Sequence, residues 1–289
     1  MRLRILQDIL LGYLLLLPNL IVFTSFWSLL GVFEYVVLIF LMFWNGLVFH
    51  YISLFIHSGA HYEFAKRHKK LNDLLTNFLV GYPLLISVKA YRRKHFQHHK
   101  YIGTLDDAEN SYAYALNFKN LMNMMFFIIA AEKVLSIYFK NDVHGAKLSG
   151  EKSYLDFFLS VIFFTTIQLL LFFAFVHIGN MKAYFFTSFI PIFMLLPVIG
   201  WLRSAAEHRA IPYISTSDIV SRNFKLDFLG FFLGPAGFRN HDLHHMFPGI
   251  HYLDLNWDKL CSHNRLSQDS YGDTIWRLIR ADARQVKEN

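Results

Sequence analysis

Cysteine is almost missing. Cys261 stands alone, which excludes an internal disulfide and any finger-type metal site built on cysteines. A single thiol also points to a reducing compartment for the polar parts. Charge is scarce as well: 17% of residues are Asp, Glu, Lys or Arg, against about a quarter in a typical soluble domain. What fills the gap is apolar, with 54% hydrophobic residues and 31 phenylalanines, and that excludes an ordinary soluble protein. The net charge of +7 would suit nucleic acid if it were gathered on one compact domain. The basic residues instead lie between long apolar segments, which reads as anchoring beside anionic lipid with no nucleic-acid partner.

Lys and Arg are absent from four apolar runs, at about residues 9–30, 35–56, 157–176 and 184–202. Each is long enough to cross a bilayer, which takes about 20 apolar residues. The first is too long for a signal-peptide core, lacks a small-residue cleavage site after it, and should kink at Pro18 and Asn19. Short connections join the runs into two hairpins. Every Lys and Arg except Lys182 then falls on the side that carries the histidine clusters. A Lys or Arg at mid-membrane costs roughly 2.5–3.5 kcal/mol, and the one-sided loop bias orients the chain. The expected protein is all-α and integral to the membrane, with four transmembrane helices in two hairpins. A helical cap, residues 57–153 and 203–289, carries a His-rich dimetal site, and residues 1–289 form a single domain. Both termini and the site are expected to be cytoplasmic, at a bacterial inner membrane or at the endoplasmic reticulum of a eukaryote. Residues 71–88 are apolar but interrupted, and read as re-entrant or interfacial. Residues 117–139 suit a helix lying in the interface, residues 141–152 a loose surface loop, and residues 228–238 an insert dipping toward lipid. The C-terminal end reads as a charged tail.

Histidine carries the chemistry. His-x-x-His-His occurs twice, as His95, His98 and His99 and as His241, His244 and His245. At 15 His in 289 residues, about 0.04 occurrences are expected by chance, so the repeat is not accidental. Residues three and four apart share a helix face, so each triplet is expected to aim three imidazoles into one small volume. Neutral imidazole is the commonest protein metal ligand. His57 and His61 add an i, i+4 pair, and His208 follows an apolar run as that pair does, with Glu207 beside it. Nine imidazoles are too many for one zinc, so two metals sharing them is the economical reading; spacing alone leaves iron, copper, nickel and zinc open. Asp106, Asp107, Glu109, Glu207 and Asp242 are within sequence reach as carboxylates that orient ligands. Glu207 and Asp242 are the two favoured, the others reading as turn or cap residues. His50 is assigned to packing or a substrate channel. His68, His144, His177, His251 and His263 are expected to be solvated.

These residues resemble the three histidine boxes of the integral-membrane fatty acid desaturase and hydroxylase family. The boxes are His57-x-x-x-His61, His95-x-x-His98-His99 and His241-x-x-His244-His245, in the family's order, over about residues 35–260. The acidic GTLDDAE after the second box and HHMFPGIHYLDL around the third, with Pro248 and Tyr252, are further shared features. The resemblance implies a non-haem centre of two iron ions held by histidines, with His208 as the additional ligand before the last box. It also implies O2-dependent attack on an unactivated C–H bond of a lipid or acyl chain. Electrons would come from a separate donor of ferredoxin, rubredoxin or cytochrome b5 type. Two departures stand out. Ser204 occupies the position four before His208 where the acyl-CoA branch has Asn, and no His-Pro-Gly-Gly haem segment occurs, so the expected donor is separate and not a fused cytochrome. The chain is similar to the short bacterial-type members. Desaturation is the leading expectation. Hydroxylation or ketolation of a lipid, alkane or carotenoid on the same scaffold is the second, and a non-catalytic membrane metal-binding or transport protein the third. The last is disfavoured because ionisable residues are nearly absent from the spans.

Overall fold

The structure is a computed structural model, and it describes residues 3–104, 106–126, 138, 142–143, 146–147, 154–209, 221–255 and 269–288. Among the described residues four helical stretches are long and apolar enough to cross a membrane: Leu3–Thr24, Gly31–Ala60, Tyr154–His177 and Met181–His208. The first begins and ends about six residues before the expected run, because Leu3 to Gly12 are already helical. Among the described residues strand is confined to a two-residue antiparallel pair, Asp142–Val143 with Ala146–Lys147, and two isolated bridges. The first pair lies inside the stretch expected to be a loose loop. The chain divides into two compact units, Met1–Lys89 with Ser153–Pro197, and Ala90–Lys152 with Val198–Asn289.

The first unit is built from helices whose outer faces are apolar, with Phe40, Ile162, Leu170 and Phe173 all exposed. Such a surface is stable against lipid and not against water. The few polar side chains are used as clips inside it. Pro18 breaks the first stretch into Leu3–Leu14 and Leu17–Ile21, as expected of a residue with no N–H to give. The carbonyl of Leu15 at that break accepts the Trp44 indole N–H at 2.7 Å. Asn19 and Asn45 exchange amide hydrogen bonds at 2.8 and 2.9 Å, which fixes the neighbouring helix in register. Gly12 lets the two helices approach, since a Cβ there would come within 2.7 Å of Ile52. In the second hairpin Gln168 Oε1 accepts from Tyr184 and Ser188 hydroxyls at 3.1 and 3.0 Å. The turn between its helices has Gly179 at φ +72 and Asn180 capping the next helix through the Ala183 N–H.

The interrupted stretch also belongs here. Helix Lys69–Thr76 passes into the wider turn Asn77–Gly81 and the tight turn Tyr82–Leu84. It stops at Leu85, left-handed at φ 61. Asn77 holds the break, donating to Tyr82 Oη at 3.2 Å and accepting the Val88 N–H at 2.8 Å. Gly59 sits under this helix, and a Cβ there would meet Thr76 at 2.2 Å. Asn72 ties the same place together, donating to the Gly59 carbonyl at 2.8 Å and accepting from Phe64 N–H at 3.2 Å.

Among the described residues of the second unit, two small apolar cores are formed. One gathers Leu116, Met124, Val198, Trp201, Ala205 and Leu278; the other gathers Ala206, Phe224, Leu233 and Tyr271. The C-terminal charged tail is in fact an amphipathic helix, Tyr271–Glu288. Tyr271, Thr274, Leu278 and Asp282 are buried along one face, the 3–4 spacing of a helix laid on a core. Helix Phe228–Leu233 is capped by Asp227 and buries Phe232 and Leu233, while Leu226 and Phe228 stay exposed. Of the expected interfacial helix over 117–139, Phe118–Met125 is helical, with Asn117 accepting from Asn120 N–H as its cap; residues 127–137 lie outside the described residues.

Candidate metal centre

In the second unit three short helices supply seven imidazoles. Helix Val88–Tyr101 carries His95, His98 and His99, helix Leu196–His208 ends on His208, and helix His241–Met246 carries His241, His244 and His245. They do not form the one cluster per triplet that spacing suggested. The ligand atoms of His98, His208, His241 and His245 lie within 4.8 Å of one another, and so do those of His95, His99 and His244. The rule behind the split is simple: each box gives its first and last histidines, i and i+4, to one group and its middle histidine, i+3, to the other. The two helices exchange their middle ligands. The groups abut, with the His99 and His245 ring centroids 4.6 Å apart.

The nitrogens converge. His241 Nε2 stands 3.1 Å from both His208 Nε2 and His245 Nε2, and His99 Nε2 stands 3.0 Å from both His95 Nε2 and His244 Nε2. Lone pairs of several neutral rings aimed at one spot favour a cation there. Burial, reinforced by the neighbouring histidines, holds His241 and His245 well below the ordinary imidazole pKa, so both rings keep the neutral form that ligation needs. In the first unit, His57 and His61 lie at the end of helix Phe55–Ala60 with ring centroids 4.9 Å apart. His57 is buried and His61 half-buried.

The carboxylates behind the rings differ from expectation. Asp107, a turn residue by its sequence, is fully buried and its oxygens lie 2.9 and 3.0 Å from His98 Nδ1. It also accepts the Tyr112 hydroxyl at 2.6 Å and the Glu109 N–H at 2.8 Å. With Nδ1–H donated to Asp107, the Nε2 lone pair of His98 is left for the group. Burial pushes the Asp107 carboxyl up, but the hydrogen bond and charge of His98, with those of Tyr112 and Glu109 N–H, outweigh it and hold the acid below its usual range. Glu109 stands 3.6 Å from His95 Nδ1. Glu207 is buried, pairs with Arg203 at 2.8 Å, accepts from Tyr271 at 2.9 Å, and reaches to 3.6 Å from His241 Nε2. Asp242 is buried too and accepts the Ser221 N–H at 3.2 Å. Asp106 and Glu109 flank Asp107 in the acidic turn that follows the second box, so the signal for Asp107 was present. Tyr112 and Tyr271 had none.

Among the other histidines, His50 is buried and His68 and His177 are exposed. His251, expected to be solvated, is buried, stacks on Tyr252 and accepts the Leu253 N–H at 3.1 Å. It serves as the cap of the turn after the third box. His144 and His263 lie outside the described residues.

Imidazole nitrogens backed by carboxylates fit a first-row transition ion and not the all-oxygen cages of calcium or magnesium. Over 60 residues, 20% of this chain, the sequence is 38% identical to a beta-carotene 4-ketolase of Protosiphon botryoides, and the matched stretch is 16% of that protein's length. The family model for fatty acid desaturase matches residues 33–256, which includes all nine candidate histidines. The chain belongs to the fatty acid desaturase family.

Proposed function

We propose that this chain is an O2-dependent di-iron membrane oxidoreductase that desaturates an acyl or other lipid chain, with electrons from a separate donor of ferredoxin, rubredoxin or cytochrome b5 type. The observation that carries the reading is the sorting of the imidazoles of both boxes into two groups, each within ligand reach of one spot. In this reading His98, His208, His241 and His245 hold one iron. His95, His99 and His244 hold the other; His57 and His61 are proposed as further metal ligands, and residues 1–289 as a single domain. Two irons so bound supply the redox chemistry that a methylene C–H, too weak an acid for any side-chain base, requires.

The chain's own residues do the rest. Asp107 fixes the tautomer and direction of His98, and Glu207, held by Arg203 and Tyr271, faces His241. Apolar walls of the spans receive the lipid chain. Taking two hydrogens from that chain, with two electrons from the donor and two protons, carries one O2 to two waters. The Lys and Arg distribution supports a cytoplasmic side for both termini and the histidines.

A second reading, hydroxylation or ketolation of a lipid or carotenoid, is favoured by the stretch shared with the ketolase. Placement of the substrate by fractions of an ångström separates the two outcomes. Lipid profiling by mass spectrometry of cells with and without the protein tests both. A product two hydrogens lighter supports desaturation, and a gain of oxygen supports the second reading. Neither change, in cells that supply a donor, sinks both.

A further inference from the structure

Helix Tyr271–Glu288 lies beyond residues 33–256, the part matched by the family, and nothing about the metal centre requires it in principle. Its buried face nonetheless grips the residues on both sides of His208. Tyr271, fully buried, donates to Glu207 Oε1 at 2.9 Å. Asp282 receives the Arg209 guanidinium, with Nη1 at 2.6 Å from Oδ2 and Nη2 on Oδ1. The two anchors are eleven residues apart, about 20° past three whole turns, so they share one helix face. Between them Leu278 packs with Ala205, while Ala206 packs with Tyr271. These are the alanines just before Glu207, and their small size lets the two helices close up.

The same acid reaches the second box. Asp282 Oδ2 also accepts the Leu116 N–H at 2.6 Å, and Arg209 donates to the Tyr114 carbonyl at 3.0 Å. That segment carries Tyr112, whose hydroxyl holds Asp107 and through it His98. Phe224 stacks on the Tyr271 ring at 3.7 Å and fixes where its hydroxyl points.

We propose that Tyr271 and Asp282 are positioning residues for the metal centre, clamping the peptide on either side of His208 and steadying the segment behind His98. The proposal rests on the metal reading above and adds to it a part of the chain that the boxes do not include. Removing either anchor takes one partner from Glu207 or from Arg209 and loosens the peptide that aims the ligand.

The test uses the full chain, purified without metal, in Tyr271→Phe and Asp282→Asn variants, with Arg277→Ala as control. Phe keeps the stacked ring, and Arg277 lies on the exposed side of the same helix, paired with Asp269. Cobalt(II) titration, followed by its ligand-field spectrum, is expected to show about 10- to 100-fold weaker binding in both variants and a shifted spectrum. Hydrogen exchange over residues 203–209 should quicken in both, already without metal, while the control matches the parent. Cobalt binding and spectra like the parent's in both variants would overturn the proposal alone. A parent that takes up no cobalt would overturn the metal reading, and the positioning role with it.

Discussion

Asp107 is the residue on which the order of one histidine depends. Its carboxylate takes three donors in a site with no water contact, and the one from His98 decides which ring nitrogen is free. Asp107→Asn keeps the size but loses the charge that balances a ligating imidazole. Metal affinity should fall by about 10- to 100-fold while the protein remains monodisperse, checked by iron per chain after dialysis against a chelator. An unchanged iron content would assign Asp107 to turn geometry alone. A second expectation concerns acid. His241 and His245 resist protonation in the folded chain, whereas in the unfolded chain they bind protons below about pH 6.5. At these two sites the unfolded state therefore gains protons first, and their contribution to the stability of the metal-free protein should fall as pH drops through that value. Melting temperatures in detergent at pH 7.5 and 5.5 measure this, and the difference should shrink in a His241→Gln, His245→Gln variant.

Elements explain why those side chains meet, and here the sequence was legible only in part. The triplets announced helical faces rich in ligands. That the middle histidine of each crosses to the other group was not legible, because it depends on two helices facing each other across 140 residues of chain. The C-terminal helix was hidden for a different reason. Its arginines and aspartates dominate the composition, although Tyr271, Leu278 and Asp282 keep one helical phase. Tight turns carry a similar burden. Gly237 lies in the turn Ala236–Arg239 just before the third box, and a Cβ there would stand 1.5 Å from the Tyr252 backbone carbonyl. Backbone cannot yield as a flexible side chain can, so Gly237→Ala should destabilise by about 3 kcal/mol or more and unseat His241. Gly200, with nothing within 4 Å of its would-be Cβ, sits inside a helix, so Gly200→Ala should stabilise by about 0.5–1 kcal/mol. Thermal melts of the two variants side by side give opposite shifts if the turn is what fixes the box.

For the molecule as a whole, composition already announced a membrane protein, since four long apolar stretches leave large hydrophobics exposed over most of their surface. Sidedness is a separate matter that follows from charge. Lys182, in the turn of the second hairpin, is the cation expected on the far side, and it pairs with Glu34 at 3.2 Å near the turn of the first. Those two turns therefore lie together, and we propose the outer side of the membrane for them. The lone Cys261 offers a natural probe. In intact cells or sealed inside-out vesicles, a membrane-impermeant maleimide should label Cys261 only where the cytoplasmic face is exposed. With Cys261→Ser and Lys182→Cys combined, labelling should switch to the outer face. Both cysteines reacting from one side would contradict the two-hairpin topology. Both reacting on reversed sides would keep that topology but turn the protein over, and the donor of electrons would then have to be sought across the membrane.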